Sequence, residues 1–185
     1  MAHFLPDTGL PDGFVTLFER SGVSLSLADL ARDDAPLVAV NERFLQISGY
    51  DATEVLGRNC RLLQPPAGAG PVVKRMRDFV HGAAEERDAR FLVVNHRSDG
   101  ARFLNLVYLS RLTRRSGGAD LILGSQFDLS RRGADDELFE RALREDMRRT
   151  DVVAYEEAWV MLGTFSALAN SNALIAQARL DEHAS

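Results

Sequence analysis

Two tight turns constrain the fold of this chain more than any other feature of its sequence. Ser98-Asp99-Gly100 and Ser116-Gly117-Gly118 each separate two segments with the apolar alternation of β-strands. Turns this short join only antiparallel strands. Strands are predicted over residues 23–30, 37–40, 90–97, 102–113 and 121–129. Because a cluster of short helices falls between the second and third strands, we expect an α+β domain built on a five-stranded antiparallel sheet.

Capping signals mark the short helices of that cluster. Asn41 can cap a helix over residues 42–48. Asp51 and Glu54 have the spacing of a capping box, which predicts a second short helix after Asp51. Apolar residues at helical spacing predict a longer helix over residues 72–80.

Composition separates both ends of the chain from this core. Residues 1–22 are interpreted as an arm and a cap helix, residues 23–129 as the core, and residues 130–185 as an extension of two helices, the first over 132–149. The second helix carries a stripe of large apolar residues between positions 152 and 168, which is too apolar to face water. The stripe covers the sheet or joins a homodimer interface, and the sequence favours neither.

Charge and hydropathy exclude several classes of protein. The net charge is −5, and residues 131–185 contain 7 arginines and 11 acidic residues, which opposes binding to nucleic acid. No run of 18 apolar residues predicts a membrane span, and the N-terminus lacks the pattern of a signal peptide. We therefore expect a cytoplasmic protein that binds neither nucleic acid nor membrane.

Cys60 is the one cysteine of the chain, so it cannot form an intramolecular disulfide. A free cysteine is commonly a small buried residue without a chemical role. Its neighbours Arg58, Asn59, Arg61 and Gln64 are too polar for a core segment. They suit the wall of a pocket that holds an anionic, hydrogen-bonding ligand.

Three amide side chains fall on the last three predicted strands. Asn95, Asn105 and Gln126 lie among apolar neighbours, and alternation places Asn105 on one face with Val107 and Leu109. A buried amide without partners costs about 1–3 kcal/mol. Three of them facing one interior indicate either a polar ligand or an internal hydrogen-bond network.

The segment Gly57-Arg58-Asn59-Cys60-Arg61-Leu62-Leu63-Gln64 resembles the Gly-x-Asn-Cys-Arg-Phe-Leu-Gln signature of light-oxygen-voltage (LOV) domains, a flavin-binding branch of the PAS fold. Leu62 replaces the family's phenylalanine. The resemblance extends over about residues 23–129. It implies the PAS/LOV fold, with the short helices over one face of the sheet. It also implies bound FMN, with FAD or riboflavin less favoured, since the segment between Gln64 and Arg77 carries no insertion.

The resemblance also assigns roles to individual residues. Arg61 and Arg77 match the family's phosphate-binding arginines. The flavin-binding residues it implies are Asn59, Arg61, Gln64, Arg77, Asn95, Asn105, Val107, Leu109 and Gln126, with no metal site. Two positions depart from the family pattern: Ala28 stands where threonine is common, and Ala35 where asparagine is usual. Both departures are expected to change the lifetime of the lit state more than flavin binding.

The function implied by this resemblance is that of a blue-light receptor. In the family, light drives the cysteine sulfur, here Cys60, to bond reversibly to flavin C4a, and N5 gains a proton. Gln126 then rearranges and signals to the helical extensions and a homodimer interface, so that the chain is a sensor and not an enzyme. Two alternatives stay open: a flavin-based redox sensor, and a PAS interaction module in which Cys60 is inert. His81 and His96 offer no spacing that makes a cysteine hydrolase with Cys60.

Overall fold

The computed structural model describes residues 1–6, 8–65, 71–82, 87–113, 120–130 and 156–182. The helix predicted over residues 132–149 lies outside the described residues. So does the part of the apolar stripe before residue 156, and the side chains between 156 and 165 are likewise not described.

Six strands form one antiparallel sheet, in the order β1-β3-β2-β6-β5-β4. The strands are β1 Ala2–Phe4, β2 Ser24–Asp29, β3 Leu37–Asn41, β4 Asp88–His96, β5 Arg102–Leu112 and β6 Leu121–Asp128. The five predicted strands are all present, each within a few residues of its expected bounds. The prediction of five strands is wrong by one, because part of the expected N-terminal arm pairs with the edge of β3, with Ala2 opposite Asn41 and Phe4 opposite Ala39.

Helices fill the connection between β3 and β4 and flank the sheet at both ends of the chain. They are α1 Asp12–Arg20, α2 Glu42–Ser48, α3 Ala52–Val55, a 3-10 turn Cys60–Leu63, α4 Pro71–His81 and α5 Glu156–Glu182. Asn41 caps α2 through its side chain, and Gly49 ends that helix with φ of +75°. The capping box of Asp51 and Glu54 forms as predicted at α3. Local capping chemistry therefore sets the bounds of these helices.

The two faces of the sheet pack against different helices. On the outer face, Leu25, Leu106 and Leu123 are buried with residues of α1 and α5. On the inner face, Val107, Leu109 and Ile122 are buried with apolar residues of α4. The strands alternate between these faces residue by residue, so each strand carries one set of side chains to the helical layer and another to the interior beside α4.

Helix α5 packs on the sheet through small residues. Ala169, Ala176 and Leu180 are buried against the outer face. Leu168, the last member of the predicted apolar stripe, is 44% exposed and therefore does not cover the sheet. The other alternative for this residue, a homodimer interface, stays a prediction. The buried face of the described helix lies one residue away from Leu168, where alanines allow the helix to approach closely.

No helix of the described residues has the length and apolar character needed to cross a membrane.

Candidate functional site

Three buried amides form a hydrogen-bonded row across the inner face of the sheet. Asn105 Nδ2 donates to Asn95 Oδ1 at 2.9 Å and to Gln126 Oε1 at 3.0 Å. Gln126 Nε2 donates to Ser26 Oγ at 3.3 Å, which extends the row to β2. Four strands therefore contribute one member each, and the structure brings the three predicted amides together.

Strand register explains why these residues meet. In the β4–β5 pair Val93 stands opposite Asn105, and in the β5–β6 pair Val107 stands opposite Gln126. Leu109 stands opposite Gly124, two residues further along. Since residues two apart point the same way, Asn105, Val107 and Leu109 share the inner face as predicted, and the two apolar residues continue the surface that the amide row begins.

One atom of the row is left without a partner. Asn105 is 1% exposed, and its Oδ1 is buried with no hydrogen-bond partner in the described structure. The row is thus an internal hydrogen-bond network, one of the two alternatives that the sequence left open. The network is incomplete, because Asn105 Oδ1 lacks a donor. A buried acceptor without a donor costs about 1–3 kcal/mol. A ligand that offers an N–H to this face would remove that cost.

The Cys60 segment is joined directly to the amide row. Asn95 Nδ2 donates to the carbonyl oxygen of Leu63 at 3.2 Å, at the end of the 3-10 turn that Cys60 begins. Gln64 follows as the C-terminal cap, and its N–H donates to the carbonyl of Arg61 at 2.8 Å. Cys60, Gln64 and the amides therefore belong to one connected region of the molecule.

The Cys60 side chain is accessible to solvent. Protein atoms around it nevertheless desolvate the thiolate and raise the pKa of the thiol, while a backbone hydrogen bond and the charge of Arg61 oppose this in part. Cys60 is thus accessible to solvent on one side and packed by protein atoms on the other, as in the wall of a cleft. Because its pKa is raised, the side chain is a thiol at neutral pH.

Asn59 and Arg61 are held by the turn between β2 and β3. Asn59 Oδ1 accepts from Arg61 N at 3.0 Å, and Asn59 Nδ2 donates to the carbonyl of Asp34 at 2.6 Å. The Arg61 guanidinium forms a two-point ion pair with the Asp34 carboxylate, at 2.6 Å and 2.5 Å. This hydrogen-bonded carboxylate raises the pKa of Arg61.

Arg77 lies on the exposed side of α4. No hydrogen bond or ion pair joins it to another described residue. Its role in phosphate binding stays a prediction, as do the flavin-binding roles of the other predicted residues.

Two residues of this region were missed by sequence reasoning. Ser26 completes the amide row, and Asp34 pairs with Arg61. The alternation of β2 contained a signal for the first, because Ser24 and Ser26 are polar residues at the positions that face inward. Nothing in the sequence signalled the second, since the pair depends on a turn in which Asp34 and Ala35 both have positive φ.

Comparison with known proteins identifies the family. The model of the PAS domain matches residues 27–131. A blue-light-activated histidine kinase of Rhizobium johnstonii is 36% identical over 113 residues, which are 61% of this chain and 32% of that kinase. Phototropin-1A of Oryza sativa is 31% identical over 65% of this chain and 13% of its own length. The chain thus spans a third or less of the length of these two relatives.

Solved structures agree with that comparison. The LOV protein of Rhodobacter sphaeroides is 30% identical with a TM-score of 0.61, covering 90% of this chain and 94% of that one. The LOV domain of a blue-light activated histidine kinase of Erythrobacter litoralis is 32% identical with a TM-score of 0.54, covering 60% of this chain and 98% of that domain. The shared fold, the matched family model and these relatives together show that this chain belongs to the PAS domain family, as a LOV domain.

Proposed function

We propose that this chain is a blue-light receptor that binds FMN and uses Cys60 as its reactive group. The observation that carries the proposal is the unpartnered Asn105 Oδ1 in a row of amides joined to the Cys60 segment. The relatives support it as well, since several are blue-light-activated kinases.

The donor and acceptor pattern of the amide row fits a flavin ring. The pyrimidine side of a flavin has one N–H between two carbonyl groups. Asn105 Oδ1 is an acceptor that needs such a donor. Asn95 Nδ2 and Gln126 Nε2 each donate one of their two N–H groups to a protein oxygen, so the second can serve a carbonyl oxygen. Val107 and Leu109 supply apolar surface beside these polar groups, the combination typical of cofactor sites.

A bound flavin would supply the absorption of blue light and a ring that, once excited, can accept the sulfur and the proton of a thiol. The chain supplies the thiol of Cys60, which is protonated at neutral pH because desolvation raises its pKa. The 3-10 turn fixes the position of that thiol, since Asn59 caps the turn through its side chain. Arg61 and Arg77 are proposed to bind the phosphate. Arg61 also forms an ion pair with Asp34.

Gln126 is proposed to pass the change to the rest of the molecule. Gln126 Oε1 accepts from Asn105 Nδ2, and Gln126 Nε2 donates to Ser26 Oγ. If the amide rotates by half a turn, its nitrogen faces Asn105 Nδ2, so two donors oppose each other and that hydrogen bond is lost. Two residues later Asp128 forms a mostly buried ion pair with Arg97 at 2.5 Å and accepts from Ser130 N at 2.9 Å. A rearranged Gln126 therefore acts close to the point where β6 leaves the sheet.

Replacing Cys60 tests this proposal. In Cys60→Ala and Cys60→Ser, flavin should stay bound, while the bleaching of its visible band by blue light should vanish. Normal bleaching in Cys60→Ala would contradict the proposal. Arg58→Ala, an exposed change in the same segment, is the matched control and should bleach as the unaltered chain does.

The same variants separate the two alternatives. A redox sensor would respond equally with and without Cys60, because flavin reduction does not need the sulfur. A PAS interaction module would carry no flavin at all, so colourless protein after refolding with FMN would favour it. The chain is proposed to act as a sensor and not as an enzyme.

We also propose that the chain forms a homodimer through α5, with an oligomeric state that light can change. This helix carries exposed apolar side chains. Leu174 is 73% exposed, and Leu168 and Ile175 are also exposed. Light scattering in darkness and under blue light should give a dimer mass in at least one state. A monomer in both states would contradict the proposal.

A further inference from the structure

We infer that Asp34 sets how strongly this site prefers a phosphorylated flavin over an unphosphorylated one, by competing with the phosphate for Arg61. This inference rests on the proposed flavin site and concerns the class of flavin that the site takes. It arises from an ion pair that neither the signature motif nor the amide row requires.

The geometry of the pair is the geometry that a phosphate would need. Asp34 Oδ1 accepts from Arg61 Nη1 at 2.6 Å, and Asp34 Oδ2 accepts from Arg61 Nη2 at 2.5 Å. A guanidinium offers this two-point fork to carboxylate and phosphate alike. An incoming phosphate must therefore displace the carboxylate or share the guanidinium with it.

The backbone holds Asp34 in that position. Asp34 and Ala35 have φ values of +65° and +46°, a region in which aspartate is tolerated better than most residues. Asn59, which caps the turn that carries Arg61, also donates to the Asp34 carbonyl at 2.6 Å. The carboxylate and the guanidinium are thus tied together by a second contact through Asn59, and their pairing does not depend on the ion pair alone.

The charge balance gives the sign of the effect. Asp34 neutralises Arg61, which leaves Arg77 as the one proposed phosphate-binding arginine without an ion-pair partner in the described part of the chain. A phosphate dianion also meets the negative charge of Asp34. Riboflavin has no phosphate and is spared this repulsion. The site should therefore discriminate between FMN and riboflavin less than a site with a free Arg61 would.

The size of the effect is limited by solvent. The side chains of Arg61 and Asp34 are 58% and 50% exposed, so water and salt screen their interaction. Removing the carboxylate charge should raise the preference for FMN over riboflavin by roughly two- to fivefold.

The test is a competition between the two flavins. The full chain is freed of flavin and refolded in an equimolar mixture of FMN and riboflavin. After unbound flavin is washed away, the ratio of bound FMN to bound riboflavin is measured. Asp34→Asn removes the charge but keeps the size of the side chain and its tolerance of positive φ. Asp33→Asn is the control, because it makes the same change of net charge one residue away, where no contact with Arg61 occurs.

We expect the ratio of bound FMN to bound riboflavin to rise in Asp34→Asn and not in Asp33→Asn. In 1 M salt, where charges are screened within about 3 Å, the ratio in Asp34→Asn should differ less from that of the unaltered chain. An equal ratio in Asp34→Asn and Asp33→Asn would overturn the inference. A lower ratio in Asp34→Asn would also overturn it, since Asp34 would then position Arg61 for the phosphate.

If both flavins bind and only the ratio disagrees, the proposed function stands. If no variant binds either flavin, the proposed function fails and this inference with it.

Discussion

Asn41 is the residue that most clearly performs two structural tasks with one side chain. Its Oδ1 accepts from Leu25 N at 2.9 Å and from Phe44 N at 3.1 Å, and its Nδ2 donates to Val23 O at 2.8 Å. It is 1% exposed. One buried amide therefore caps α2 and also joins β3 to the start of β2.

Asn41→Ala should lower the free energy of unfolding by about 2–4 kcal/mol, more than the loss of a cap alone, because buried backbone groups lose their partner. Chemical denaturation measures this. Asp51→Ala removes the exposed cap of α3 and should cost about 1 kcal/mol or less. Equal losses in the two variants would show that the contacts of Asn41 with β2 contribute nothing.

Strand β6 approaches Ser26 closely at Gly124. A Cβ placed on Gly124 would lie 2.6 Å from Ser26 Oγ, the atom that accepts from Gln126. Gly124→Ala should therefore destabilise the fold by about 1–3 kcal/mol. The cost should be clearly smaller in a Ser26→Ala background, where the obstructing oxygen is gone. A double-mutant cycle of denaturation curves measures this, and strictly additive losses would contradict it.

At the scale of elements, the packing of α5 on the sheet explains why the outer face is covered. Ala176 is fully buried, and Gln177 exchanges two hydrogen bonds with the backbone of Thr113 after β5, at 3.1 Å and 3.0 Å. Small residues at the contact let the helix lie close to Leu106 and Tyr108.

Ala176→Glu should release α5 from the sheet, because the site cannot hold a charge without a partner. Thermal unfolding should begin at a clearly lower temperature. Ala178→Glu makes the same replacement on the exposed side of the same helix. With both variants measured at a concentration where the chain is monomeric, it should change stability by no more than about 0.5 kcal/mol. A similar loss of stability in both variants would refute the observed orientation of α5.

The same elements show what could be predicted from sequence. The bounds of α2 followed from Asn41 and Gly49, and the amide row followed from the two-residue period of strands, because both signals are local. Strand β1 was missed because three residues have too little periodicity to distinguish a strand from an arm. The face of α5 that packs on the sheet was not identified, because Ala169 and Ala176 carry less hydrophobic signal than the exposed Leu168. The Asp34–Arg61 pair joins residues 27 positions apart and needed the turn geometry.

At the scale of the whole molecule, β6 connects the two faces of the sheet. Gln126 points to the interior. The next residue, Phe127, packs edge-on against Tyr108, with 5.9 Å between the ring centroids, on the outer face of the sheet where α5 is buried. A change at Gln126 is therefore one residue from the helical layer.

We expect blue light to change hydrogen exchange in α5, and Gln126→Leu to abolish that change while Cys60 still reacts. Leucine fills the space but has no amide to rearrange. Exchange measured in darkness and in light tests this, with absorbance recorded in parallel. A variant that bleaches and still shows the full change in α5 would place the signal elsewhere.

Visible absorption of the purified chain, recorded before a blue flash, after it and during return to darkness, shows whether FMN and Cys60 make this chain a blue-light receptor. We expect a structured flavin band that bleaches and then recovers. A protein that stays colourless after refolding with FMN, or one that is yellow and does not bleach, would contradict it.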